Sequence, residues 1–451
     1  MRRVFIHTFG CQMNESDSAR MLEALSREGW SAAAEAAEAD LILVNTCAVR
    51  DKAEQKLYSA LGRYRAAKRA RGALLGVAGC VAQQEKDRLL ERAPYVDFVV
   101  GPDNLSRLPA LVRAAAAGEG PQVETGRMDA DRYVFPRADP ALARAPTAFV
   151  TAMKGCDNVC SFCIVPYTRG REQSRPYGEV VAEVEGLVAV GVREVTLIGQ
   201  NVNSYRGGCG FAALLRRVAE VPGLARLRFT TSHPQDFGED LARCFADLPV
   251  LCPHLHLPVQ SGSDAVLSRM RRGYTAAEYE ARVAVLREIA PGVALTSDVI
   301  AGFPGETEED YAATLRLVER VRFDNLYSFV YSPRPHTAAA LREEEWGRVP
   351  YAVQVERLER LQALQRAVSA EIMARAVGSE VEVLVEGPSH DGARRCGHTP
   401  ENRMVNFDGT AAAGALVRVR VEGASPASLS GRQTAVLSEP PAARVRLAIV
   451  A

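Results

Sequence analysis

The sequence predicts an α/β protein in three parts: an N-terminal doubly wound parallel sheet, a central partial parallel barrel of six strand–helix units, and a small C-terminal β-barrel. Three observations carry this expectation. Short apolar runs alternate with helical spacing over residues 1–117 and again over 147–373, at the size of parallel β–α units. From Gly378 the helical spacing stops, and short apolar runs separated by Gly, Ser and Pro take over. The chain has 451 residues, too many for one core, which sets a prior of two to four domains.

In the first part, Val4–Thr8 reads as a strand running into Gly10-Cys11, and Ser16–Glu28 follows with Met21, Leu22 and Leu25 at helical spacing. Asp40–Asn45 is a second strand ending in Thr46-Cys47, and Lys52–Arg71 is a basic helix. Ala73–Ala78 is a third strand ending in Gly79-Cys80, and Phe98–Gly101 is a short fourth. Residues 118–146 carry Gly, Pro, Asp and Arg without periodicity and read as a linker. The central strands are Ala148–Met153, Glu194–Gly199, Arg226–Thr231, Leu255–Val259, Leu295–Ile300 and Asn325–Tyr331, with helices such as Gly178–Val190 and Ala276–Ile289 between them. Val353–Met373 is a long helix rich in Glu, Arg and Leu that leads out of the barrel. Val381–Val385, Met404–Phe407, Val417–Val421 and Ala435–Leu437 are the strands of the last part, residues 374–440.

Composition narrows the function classes. Lys+Arg and Asp+Glu balance at 55 each, so a nucleic-acid partner must rest on a local basic face and not on net charge. Residues 1–10 hold no apolar signal core, and no run of about 18 apolar residues occurs, so neither a secretory signal nor a membrane span is expected. In the reducing cytoplasm, the expected setting, the ten cysteines read as metal ligands or free thiols and not as disulfides.

Cys156, Cys160 and Cys163 form Cys-x3-Cys-x2-Cys. Three thiolates so closely spaced can wrap one compact metal centre. A closed zinc site wants four ligands, and no fourth Cys or His lies nearby, so a zinc loop would have to borrow a distant one. Three cysteines on an iron–sulfur cubane instead leave one iron open to a small molecule. The triad follows the first barrel strand, which puts it at the active face.

Cys11, Cys47 and Cys80 are distant in sequence, yet each closes a predicted parallel strand. Such strand ends converge on one crevice, the usual ligand site of a doubly wound sheet. Three unrelated buried thiols are the competing reading, but Gln12, Asn14 and Asn45 beside them are polar and suit a site rim.

The central triad, with Phe162 in the aromatic slot of Cys-x3-Cys-x-aromatic-Cys, resembles the radical S-adenosylmethionine (SAM) superfamily. Gly199, Gln200 and Asn201 match the place of its polar contacts to SAM, and Gly302, Gly305 and Glu306 lie in a segment similar to its Gly-x-Pro-Gly-Glu loop. Gly10–Glu15, Asn45–Cys47, Gly79–Gln83, Pro166–Gly170, Phe229–Pro234 and His256–Ser263 further resemble the radical SAM methylthiotransferase family, in particular its MiaB-type members. The resemblance spans nearly the whole chain.

It implies two 4Fe-4S clusters, one on Cys156, Cys160 and Cys163 that binds SAM and one on Cys11, Cys47 and Cys80. It implies SAM as radical source and methyl donor, and methylthio transfer to an N6-isopentenyladenosine beside the tRNA anticodon. A donor such as flavodoxin or ferredoxin supplies electrons, no membrane is involved, and a monomer is expected. Relatives acting on threonylcarbamoyl-adenosine or ribosomal protein S12, and a non-catalytic iron–sulfur RNA-binding protein, are the alternatives.

His256 and Gln260 share a strand parity that faces the barrel mouth, where SAM or substrate contact, metal ligation and a structural role all remain open. Arg169 and Arg175 are candidates for RNA phosphate or the SAM carboxylate. The last part resembles a TRAM domain, with Arg394, Arg395, Arg403, Arg418, Arg420 and Arg432 as local positive charge and Phe407 as a base-stacking or core residue. Cys209, Cys244, Cys252 and Cys396 have no ligand spacing.

Overall fold

A computed structural model describes residues 2–48, 53–128, 133, 135–140, 143 and 145–440. The N-terminal domain is a six-stranded sheet of β1 (Arg2–Thr8), β2 (Trp30–Ala32), β3 (Leu41–Thr46), β4 (Leu74–Gly79), β5 (Phe98–Val100) and β6 (Gln122–Glu124) in the order β2-β1-β3-β4-β5-β6. Every pairing is parallel. Leu41–Thr46 is buried along its length, because helices cover both faces of a parallel sheet. The start of the basic helix read from Lys52 falls partly outside the described residues, and the helix runs over Ala53–Arg71.

Two strands of this sheet escaped the sequence. Trp30–Ala32 and Gln122–Glu124 are three residues each, too short to show a period, and they become strands by pairing with a sheet edge. The second lies in the segment read as a linker, which therefore contributes structure.

The central domain has six parallel strands in two halves. β7 (Thr147–Thr151), β10 (Glu194–Ile198) and β11 (Arg226–Phe229) form one sheet, and β12 (His254–His256), β13 (Ala294–Ala301) and β14 (Asn325–Val330) form the other. Leu227 joins them, donating to Val250 O at 2.7 Å and accepting from Cys252 N at 2.9 Å. The short antiparallel pair β8 (Met153–Lys154) and β9 (Gln173–Ser174) closes the stem of the cysteine loop. Gly199 lies one residue past its strand, and the fourth strand begins one residue earlier than expected and ends at His256.

The helix Tyr351–Ala374 buries Leu361, Val368 and Met373 and leads to a closed five-stranded barrel of β15 (Glu380–Pro388), β16 (Arg395–His398), β17 (Met404–Asp408), β18 (Leu416–Ala424) and β19 (Leu429–Ser438). In β18 Val417, Val419 and Val421 point inward while Arg418 and Arg420 point out. Among the described residues no helix is long and apolar enough to cross a membrane.

Candidate active site

The register of the N-terminal sheet aligns Thr8 with Asn45 and Thr46 with Gly79, so Cys11, Cys47 and Cys80 leave adjacent strands at one edge. Cys11 caps the helix Gln12–Ser26 and Cys80 opens the helix Cys80–Glu85. The turns are tight. Gly10 (φ +135°) has no room for a Cβ, which would sit 2.5 Å from the Cys47 Cβ. Gly79 (φ +94°) would drive one into Asn45 Oδ1 and the Thr46 carbonyl.

A buried amide pair fixes the crevice. Asn14 Nδ2 donates to Asn45 Oδ1 (3.1 Å) and Thr46 O (2.8 Å), and Asn45 Nδ2 donates to Asn14 O (2.8 Å) and Ser18 Oγ (2.9 Å). The Cys11 thiol lies 3.3 Å from Asn14 Oδ1. A hydrogen bond with Cys47 brings its pKa down to about 6 against the cost of burial, with help from Arg169. Burial pushes the Cys80 thiol up, while the Arg169 guanidinium beside it pulls the other way. Arg169 comes from the central domain, is only 6% exposed, and donates to Asp17 Oδ2 at 2.6 Å.

The second trio is local. Cys156, Cys160 and Cys163 lie in the loop between β8 and the helix Val165–Thr168. Burial, joined by mutual repulsion of their negative forms, pushes Cys156 up to about 11 and Cys163 up to about 12. Cys160 accepts from Arg272 Nη1 at 3.4 Å, and the same guanidinium is held by Tyr274 OH and Pro258 O, both at 2.9 Å. Phe162 packs edge-on against buried Phe303. Lys154, two residues before Cys156, is buried in an ion pair with Asp103 of the N-terminal domain at 2.6 Å and sits over the Tyr133 ring.

Polar groups gather at the same end of the barrel. Gln200 Oε1 accepts from Gly155 N at 2.5 Å, and Asn201 Nδ2 donates to Asp236 Oδ2 at 2.8 Å. Gln200 Nε2, Asn201 Oδ1, Ser232 Oγ and His233 Nε2 are buried without a hydrogen-bond partner. Four such atoms at neighbouring strand ends are costly unless a polar ligand satisfies them. Gln260 is buried with φ +72°, and His256 bonds Thr296 Oγ1 (3.0 Å) beside Asp298. Glu306 is turned onto its own loop: its carboxylate accepts from Gly302 N at 2.7 Å and Arg357 Nη1 at 2.8 Å, and burial lifts it to about 7. Gly305 O accepts from Arg269 at 3.0 Å.

Among the described residues, no three His, Cys, Asp or Glu side chains are arranged to hold a single metal ion. A cluster places its ligands on corners and not around one ion, so it asks for wider spacing. Buried and half-buried thiols faced by Arg272 or Arg169, beside unsatisfied polar atoms, suit an anionic inorganic centre and a polar co-substrate.

The chain is 60% identical over 442 residues to the tRNA-2-methylthio-N(6)-dimethylallyladenosine synthase of Myxococcus xanthus (strain DK1622), covering 98% of this chain and 96% of that protein. The chain belongs to the MiaB-type methylthiotransferase family. A relative of the same name in Anaeromyxobacter sp. (strain K) is 63% identical over 437 residues, 95% of this chain and 94% of that protein. Residues 3–101 match the uncharacterized protein family UPF0004, 150–318 the radical SAM superfamily and 374–433 the TRAM domain. The radical SAM methyltransferase TsrM from Kitasatospora setae shares the fold, with TM-score 0.58 at 17% identity over 76% of this chain and 77% of that one.

In this methylthiotransferase, burial corrects two sequence expectations and decides a third. Arg175 is fully buried, held by Glu183 at 2.5 Å and by Glu179, which leaves it no surface to offer RNA or SAM. Arg169 is likewise enclosed, against Asp17. Phe407 is fully buried in the barrel core, on the same face of its strand as Val405, so it offers no ring to a base. Arg403 is partly exposed and pairs with Asp324 at 3.0 Å, next to a cavity of about 660 Å³ between the two barrels. Arg272 escaped the sequence, because its partner Cys160 is 112 residues away in the chain, and Ser232 and His233 stand out there only as part of a family-like segment, with no role of their own.

Proposed function

We propose that this protein is a tRNA-2-methylthio-N(6)-dimethylallyladenosine synthase, carrying out methylthio transfer to N6-isopentenyladenosine next to the anticodon. The observation that carries this reading is the presence of two thiol trios, each beside a buried guanidinium, in a chain with a C-terminal TRAM barrel. Cys156, Cys160 and Cys163 would hold a 4Fe-4S cluster with SAM at its open iron, and Cys11, Cys47 and Cys80 a second; such centres supply one-electron chemistry and sulfur.

The chain's own residues then bind and orient. Gln200, Asn201, Ser232 and His233 offer unspent polar atoms to SAM at the barrel mouth. Arg272 steadies the Cys160 thiolate. Glu306 and Arg357 hold the Gly302–Glu306 loop in place, so its backbone can approach the ligand. Exposed Arg418 and Arg432, paired with Glu380 and Glu422, and Arg420 offer guanidiniums on the outer face of the TRAM barrel for RNA phosphate. A donor such as flavodoxin or ferredoxin supplies electrons, and the enzyme works in the cytoplasm as a monomer.

Mass spectrometry of tRNA nucleosides tests this. A strain lacking the gene should accumulate isopentenyladenosine and regain the methylthio form on complementation. Unchanged isopentenyladenosine, with modification appearing on threonylcarbamoyl-adenosine or ribosomal protein S12, contradicts it. Absence of 5′-deoxyadenosine when SAM and dithionite are added to the reconstituted protein would instead favour a binding module.

A further inference from the structure

Arg169 is a buried cation that reaches across a domain boundary to meet thiols. It is carried by the central domain, six residues past Cys163, yet its guanidinium lies in the N-terminal domain. There it pairs with Asp17 at 2.6 Å and lies beside the thiols of Cys80 and Cys11. The contact is enclosed: Arg169 and Asp17 side chains are 6% and 11% exposed. A helix packed between the two sites explains the reach. Ile164, next to Cys163, is buried in the same apolar cluster as Cys80, Val81 and Ala82. Arg169 N donates to Val165 O at 2.8 Å, closing the last turn of that helix. The loop of one trio thus delivers a positive charge to the other.

A buried charge beside an electron-accepting centre acts strongly, because little solvent screens it. A cation favours the more negative, reduced state, so it raises the potential, and a carboxylate lowers it. Asp17 offsets Arg169 and holds it in place. Lys154 and Asp103, a further buried pair across the same domain boundary, balance each other at 2.6 Å.

We propose that Arg169 is a positioning residue that sets the reduction potential of the centre on Cys11, Cys47 and Cys80, with Asp17 as its counterweight. This rests on the reading of that trio as a cluster site.

The test uses the full-length Cys156/Cys160/Cys163→Ala chain, reconstituted anaerobically, so that the N-terminal centre alone is observed. Its midpoint potential is followed by electron paramagnetic resonance during dithionite titration. Arg169→Gln leaves the Asp17 carboxylate beside the thiols and should shift the potential negative. Asp17→Asn leaves the guanidinium uncompensated and should shift it positive. Arg169→Lys, which keeps the charge, should stay near the parent. Opposite signs for the first two are not expected of a merely structural role. If Arg169→Gln does not fold by circular dichroism, the Asp17→Asn shift decides: a positive shift supports the proposal. Iron retained with the potential unmoved in the folded variants overturns it alone. No iron in the parent chain overturns the cluster reading and the proposal together.

Discussion

The two thiol trios are built in opposite ways. Cys156, Cys160 and Cys163 lie within eight residues, and a single loop on the β8–β9 stem presents them. Cys11, Cys47 and Cys80 span 70 residues and meet only because β1, β3 and β4 are neighbours in register. The first trio depends on local chain, the second on the whole sheet and its buried amide pair. Each is therefore vulnerable in its own way: fold-level damage should strike the N-terminal trio first, while the central trio should tolerate changes at its surface.

The largest expected effect probes whether the central site is as self-contained as its cysteine spacing implies. Glu306 and Arg357 form a buried pair, at 1% and 7% exposure, between the Gly302–Glu306 loop and the long helix. Arg357→Met leaves the carboxylate uncompensated and should cost about 3–5 kcal/mol, read as a fall in the midpoint of denaturant unfolding. An unchanged midpoint would show that the loop holds itself.

Asn14→Ala sharpens the comparison on the other side. It removes the donor to Asn45 Oδ1 and Thr46 O and should cost about 1–3 kcal/mol for each acceptor left unsatisfied. Iron bound by the N-terminal trio should fall, while SAM cleavage at the central trio persists. Equal loss at both sites would break the distinction.

A pH experiment follows. Burial, with Arg272 and Arg282 nearby, depresses His233 from 6.5 to about 3. The native state keeps it neutral while the unfolded chain binds a proton below pH 6.5, so its contribution to stability is lost as pH falls from about 6.5 towards 3. His233→Gln should flatten the fall of Tm over that window. The smallest effect is expected at Arg171, whose ion pair with Asp157 at the rim of the central loop is 86% exposed on the arginine side. Arg171→Ala should leave Tm unchanged.

The same contrast explains what the sequence could show. The three-part architecture and both trios were legible, because parallel strands end at a common edge and a tight cysteine spacing needs no long-range information. Long-range partners were not. Arg272 meets Cys160 from 112 residues away and Arg169 meets Asp17 from 152, and nothing local marks either pairing. The sequence leaves Phe407 open between base stacking and the core although the signal is present, since Val405 and Phe407 share a strand parity and both face the core. The strand Arg395–His398 carries no apolar alternation and is set by its barrel neighbours.

Iron counted per chain decides whether the two separate trios each hold a cluster. Anaerobically reconstituted protein should bind about eight irons, and either Cys156/Cys160/Cys163→Ala or Cys11/Cys47/Cys80→Ala about four, on the four irons of each 4Fe-4S centre. A full iron complement in the second variant, or none attributable to Cys11, Cys47 and Cys80, would contradict the account.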